Sequence, residues 1–149
     1  MSDTFQKGRP NLFVAIPAYG GDVKTELMMS CVQLAQTLQQ QNIGCKFGSL
    51  SFPDIVEVRN IFSSIFFDKT PQATHMLFVD SDMAFTPDLI LNMLDSEHQL
   101  VGIIPVKKKF PYEFVGRGNA TEGAPVNGYL QVDGVGAGVL MFSREVMSE

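Results

Sequence analysis

Long apolar runs are missing from this sequence. None approaches the ~20 residues that a membrane-spanning helix needs, and residues 1–10 are polar, without the apolar core of a signal peptide. Positive charge is scarce as well. Eleven Lys and Arg against sixteen Asp and Glu leave a formal net charge of -5, which excludes the basic stripe of a protein that coats duplex nucleic acid. Lys107, Lys108 and Lys109 form the one basic run and read as a solvated loop. Cysteine is limited to Cys31 and Cys45, too few for a disulfide framework or a zinc site. Cys31 falls on the apolar face of a predicted helix, where a reduced core thiol belongs. The two histidines, His75 and His98, are isolated from each other and from other ligand types. No internal repeat or linker interrupts the chain. These absences point to a cytoplasmic protein with no nucleic-acid partner and no transmembrane segment.

What is present suits one folded domain. The 149 residues are 45% hydrophobic and 18% charged, enough to bury a single core. The apolar run Leu12 to Ile16, ended by Pro17, predicts a buried strand followed by a turn at Tyr19-Gly20-Gly21. Over residues 24–41, Leu27, Cys31, Leu34, Ala35 and Leu38 recur at helical spacing, with Asp22 placed to cap the start and Asn42 and Gly44 to stop it. A second strand is expected over residues 45–50. Asp54 then opens a helix with Glu57 three positions on, and its apolar stripe is Ile55, Val58, Phe62, Ile65 and Phe66. Thr70-Pro71 breaks that helix.

Residues 75–79 predict a third strand that runs directly into Asp80-Ser81-Asp82. Thr86-Pro87-Asp88 supplies a cap, a first-turn proline and an early acid for a helix through Ser96, and residues 100–104 a fourth strand. Strand and helix in alternation predict an α/β fold with a mainly parallel sheet flanked by helices. The alternation fails after Pro105. Residues 107–128 read as a long loop, residues 129–132 and 135–142 return to strand character, and Ser143 is placed to cap a last helix. The natural fold is expected to continue past Glu149.

Ligands of parallel sheets bind beyond the carboxyl ends of the strands, and three polar clusters fall there: residues 17–22, 49–54 and 80–82. Asp80 and Asp82 carry the sharpest signal. Two carboxylates that close repel unless a cation lies between them, and Mn2+ or Mg2+ takes oxygen ligands and completes its shell on substrate phosphates. The competing reading is a turn in which the two Asp cap backbone amides.

Four segments share an order with a known family. Leu77 to Met83, containing Asp80-Ser81-Asp82, resembles the D-x-D segment of GT-A glycosyltransferases, particularly those similar to family 2. Val14 to Tyr19 resembles the family's first strand and nucleotide-contacting turn, and Val58-Arg59-Asn60 its A-R-N segment. Val135 to Val146 resembles the glycine-rich strand and helix that close its donor and acceptor pocket.

The resemblance covers residues 12–146 and implies a metal-dependent glycosyltransferase of GT-A fold, a nucleotide-diphospho-sugar transferase. The partners it implies are a nucleotide-diphosphate sugar donor and a sugar or glycan acceptor. It divides the single domain, residues 1–149, into a nucleotide-binding part (1–105) and an acceptor-side part (106–149).

Residue by residue, it implies that Asp82 binds the metal and that Asp80 binds the metal or the ribose. Pro17, Ala18 and Tyr19 would frame the nucleoside. Arg59, Asn60 and Ser81 would also contact the nucleotide, and Gly136, Ala137 and Gly138 would admit the sugar. Alternatives stay open. Tyr19 could instead cover the sheet edge, Arg59 could pair with Glu57 or another acid, and the glycines could mark a bulge. Asp133 is the one acid offered as a general base, in a stretch, Val132-Asp133-Gly134, that reads first as a turn. The family's later acidic base or histidine has no counterpart here. A non-catalytic nucleotide-sugar-binding fragment and, more distantly, a haloacid-dehalogenase-like phosphatase are the competing functions.

Overall fold

Seven consecutive residues of β1 (Asn11–Pro17) are buried on both faces, as expected of a strand at the centre of a covered sheet. The computed structural model describes residues 8–103 and 125–148. Along the chain β1 is followed by α1 (Thr25–Gln40), β2 (Gly44–Leu50), α2 (Ile55–Ser64), β3 (His75–Val79), α3 (Pro87–Asp95), β4 (Leu100–Gly102) and β5 (Val139–Ser143). A short 3-10 turn follows β1 at Tyr19–Gly21, and another closes the chain at Glu145–Met147.

The five strands lie in the order β2-β1-β3-β5-β4. β1 pairs in parallel with β2 and with β3, while β5 is antiparallel to both β3 and β4. The fold is thus a mixed α/β sheet flanked by helices. Two of its four pairings are antiparallel, which corrects the expectation of a mainly parallel sheet. Residues 135–138 do not join the last strand, and residues 129–132 contribute an isolated bridge, Val126 to Tyr129, in place of a strand.

Helices cover both faces. On one, Leu27, Leu34 and Leu38 of α1 and Ile90, Met93 and Leu94 of α3 pack on Leu12, Val14, Leu77 and Val79. On the other, Val58 and Phe62 of α2 and Phe66 meet Phe13, Phe78 and Phe142. Phe62 lies edge-on to Phe13 at 6.1 Å and to Phe78 at 6.4 Å, contacts worth about 0.5–1.5 kcal/mol each beyond the area they bury. This aromatic cluster fixes α2, and therefore Arg59, against the sheet. Ile55 is exposed, so the stripe of α2 begins at Val58.

The ends of the helices are set locally. Asp54 caps α2, its Oδ1 accepting from Val56 N at 2.7 Å and Glu57 N at 3.3 Å. Past Ser64 the helix widens into a π-helical turn, Ile65–Lys69, which the apolar spacing did not foretell. Arg144 holds that turn. Its Nη2 donates to Phe66 O at 2.6 Å and Thr70 O at 2.7 Å, and its Nε to Ala73 O at 2.9 Å. The guanidinium also lies 4.0 Å from the Phe66 ring centroid. The cap expected for α1 is corrected: the N-cap is Lys24, with no side-chain hydrogen bond, and Asp22 is exposed. Asn42 ends that helix in the left-handed region, φ 56, while Gly44 belongs to β2.

Candidate functional site

Strand register brings the polar clusters together. Pro17 pairs with Leu50 across β1 and β2, and Ala15 with Phe78 across β1 and β3. The three parallel strands therefore end at one level, and residues 18–22, 51–54 and 80–82 leave the same edge of the sheet. Because β5 runs antiparallel and Val139 pairs with Val79, Gly136, Ala137 and Gly138 enter the sheet at that edge too. Hydrogen bonds confirm the meeting: Ala18 N donates to Leu50 O at 2.9 Å, and Asp80 N to Gly138 O at 2.9 Å.

Asp80-Ser81-Asp82 does not prolong β3. Met83 N donates to Asp80 O at 3.0 Å, closing a turn over residues 80–83. Asp80 and Asp82 therefore lie in a turn past the end of β3 and not along a strand. Asp80 is half-buried and Asp82 exposed. Arg59 Nη2 reaches Asp80 Oδ1 at 3.0 Å, with about a third of each side chain open to solvent. Glu57, the neighbouring acid weighed as its partner, is not the one it uses. The Arg59 guanidinium also lies 5.9 Å from the Phe78 ring centroid, and its buried Nε has no hydrogen-bond partner.

The remaining expected residues divide. Tyr19 is 74% exposed and so does not cover the sheet edge. A Cβ on Gly21 would stand 3.7 Å from Ser51 Oγ, so the segments that follow β1 and β2 lie side by side. A Cβ on Gly138 would stand 3.8 Å from Asp80 Oδ2, so the glycine leaves that oxygen approachable. Ala18 is buried beneath the edge, and Asn60 is exposed on α2. Asp133 is exposed, and no hydrogen bond or ion pair joins it to Arg59 or Asp80 among the described residues. The run Lys107 to Lys109 lies outside the described residues.

Sequence reasoning missed the polar fastening of α1 to this edge. Lys24 N donates to Ser81 O at 3.0 Å. The buried hydroxyl of Ser30 donates to Glu26 O at 3.0 Å and accepts from Phe85 N at 3.1 Å. A serine on the buried stripe of a helix was the available signal.

A cation at this edge would need part of its shell from a bound substrate. Among the described residues no group of three or more His, Cys, Asp or Glu could hold a metal by itself. Asp80 Oδ2 and exposed Asp82 offer carboxylate oxygens, and Mg2+ commonly takes one or two of these plus substrate phosphates. Asp80 and Asp82 would serve such an arrangement, and the described residues hold no all-protein cage.

No family model matches this chain, and no curated protein matches it. It is similar in fold to a solved structure, A197 from STIV. The TM-score is 0.55 at 17% identity, over 95% of this chain and 68% of that one. At that identity the likeness shows the fold alone. Among the described residues no helix is long and apolar enough to cross a membrane.

Proposed function

We propose that this chain is a GT-A-type glycosyltransferase that takes a sugar from a nucleotide-diphosphate donor to an acceptor hydroxyl, with Mn2+ or Mg2+ at Asp80 and Asp82. The observation that carries the reading is the convergence of the Pro17, Arg59, Asp80 and Gly138 segments at one carboxyl edge. Ligands of α/β sheets bind at such edges. Tyr19 is exposed there and has a face to offer a base. Arg59 offers a planar fork suited to phosphate oxygens. Gly138 puts no side chain between its backbone and Asp80, as a sugar approaching that carboxylate would require. A divalent cation bound there would neutralise charge on the diphosphate leaving group.

Calorimetric titration of UDP and GDP, first with Mn2+ and then with excess chelator, tests the donor site. Saturable binding that the chelator abolishes is expected. Equal affinity in both conditions overturns the metal assignment, and no binding of either nucleotide overturns the donor site. Release of nucleotide diphosphate from a bound nucleotide sugar, dependent on an added hydroxyl acceptor, separates a transferase from a non-catalytic binding protein.

A further inference from the structure

Arg59 holds the same carboxylate that the donor-site reading gives to a divalent cation. Its Nη2 stands 3.0 Å from Asp80 Oδ1. A guanidinium on a carboxylate opposes a second cation there, because the two positive groups repel. Neither residue depends on the other for its place. Asp80 N donates to Gly138 O at 2.9 Å, and Asp80 O accepts from Met83 N at 3.0 Å, so backbone contacts alone fix Asp80 at the edge. α2 is seated by buried Val58 and Phe62 and capped by Asp54. The pair joins two independently anchored backbones and can part by side-chain rotation.

The guanidinium is also incompletely satisfied where it lies. One of its nitrogens donates to Asp80, while Nε is buried without a hydrogen-bond partner, and an unpaired buried donor costs free energy. Side-chain exposures of 29% and 34% leave the pair within reach of a ligand, and ion pairs so open to solvent are weak. A diphosphate presents several anionic oxygens to a planar fork, where Asp80 presents one.

We propose that Arg59 is a latch on the cation site: it pairs with Asp80 before the donor binds and moves to the diphosphate when the donor arrives, leaving the Asp80 carboxylate to the divalent cation. The assignment rests on the donor-site reading above. It disfavours a cation bound alone. It also couples cation and diphosphate, each raising the other's affinity by the same factor.

Arg59→Gln and Arg59→Lys are titrated with Mn2+ alone, followed by the paramagnetic resonance of the free ion, and with UDP and GDP in excess Mn2+ by calorimetry. Lys46→Gln, which removes an exposed charge from the middle of β2, is the charge control. Without nucleotide, Arg59→Gln should bind Mn2+ about tenfold more tightly than wild type, the effect of removing one like charge from a partly solvated site. It should bind UDP or GDP about tenfold more weakly, having lost a charge-assisted contact. The opposite signs separate a latch from a residue that only supports the site, whose loss would weaken both ligands. Arg59→Lys keeps the charge and should stay close to wild type for Mn2+, and Lys46→Gln should leave both affinities unchanged. No gain in Mn2+ affinity in Arg59→Gln, including no measurable binding in either protein, overturns the latch alone when wild type binds UDP or GDP. An equal gain in Lys46→Gln overturns it as well, as an effect of net charge. Absence of UDP and GDP binding by the wild-type protein overturns the latch together with the donor site.

Discussion

Arg59 Nη2 stands 3.0 Å from Asp80 Oδ1, joining residues 21 positions apart across the boundary between α2 and the end of β3. The pair is partly open to solvent, and exposed ion pairs contribute about 1 kcal/mol or less to stability. Its weight is therefore geometric. It aligns a guanidinium fork beside a carboxylate whose second oxygen faces the Gly138 backbone.

Asp82 is exposed on the closing side of the turn, and Asp88 is exposed in the first turn of α3. Loss of groups that merely support a metal ligand costs about 10- to 100-fold in affinity. Asp82→Asn is expected to weaken Mn2+-dependent UDP or GDP binding by about 100-fold with little change in thermal midpoint. Asp88→Asn serves as the control and should leave affinity unchanged. Equal losses in the two variants, measured by calorimetry, would defeat the metal role of Asp82.

At Gly138 an added Cβ meets Met83 Sδ and Cε at 3.7 Å and Asp80 Oδ2 at 3.8 Å, all ordinary contacts. Gly138→Ala should therefore fold with a midpoint close to wild type. Gly138→Val extends two methyl groups toward the approach to Asp80 and should weaken nucleotide-sugar binding more than Gly138→Ala does. Identical affinities in wild type and Gly138→Val would remove the glycine from the site.

Arg144 is the principal structural cation of the described chain. Truncation to Met leaves the carbonyls of Phe66, Thr70 and Ala73 without their donor and removes the guanidinium from the Phe66 face. The loss is expected on the order of 3 kcal/mol in urea denaturation. Arg144→Lys should recover only a fraction, since one ammonium cannot span the positions of a planar fork. A loss below about 1 kcal/mol for Arg144→Met, in the range of an ordinary surface substitution, would contradict the clasp.

Burial lowers the His75 pKa, and nearby Glu145 raises it by less. A histidine that is harder to protonate folded than unfolded binds more protons in the unfolded chain, so stability rises with pH. The His75 contribution is complete above the unfolded value, about 6.5, and is lost as pH falls below it toward the folded value. Denaturation between pH 7.5 and 5, values chosen at roughly one unit or more either side of that pKa, should show a shallower decline for His75→Gln than for wild type. Parallel curves would assign the decline to carboxylates.

Much of the local structure was legible in the sequence. The run from His75 to Val79 is a strand with those bounds, Asp54 caps α2, and Pro87 opens α3. Each follows from short-range chemistry: an apolar run between turn residues, a carboxylate within reach of two amides, and a proline whose missing N–H costs nothing in a first turn. The candidate edge was also legible, because strand ends in chain order predict which loops share a side.

Partners distant in sequence were decided only by the tertiary structure. An apolar run at residues 139–142 does not say which strand it will pair with or in which direction. Insertion of β5 between β3 and β4 satisfies the backbone groups along one side of β3, a requirement that exists only once the sheet has formed. The same holds for Arg59, which has Glu57 near in sequence but Asp80 near in space, and for Lys24, which takes the N-cap because Ser81 holds its backbone. Periodicity reports which face of an element is apolar. Which polar groups meet depends on how those faces are brought together, and that is a property of the packed chain.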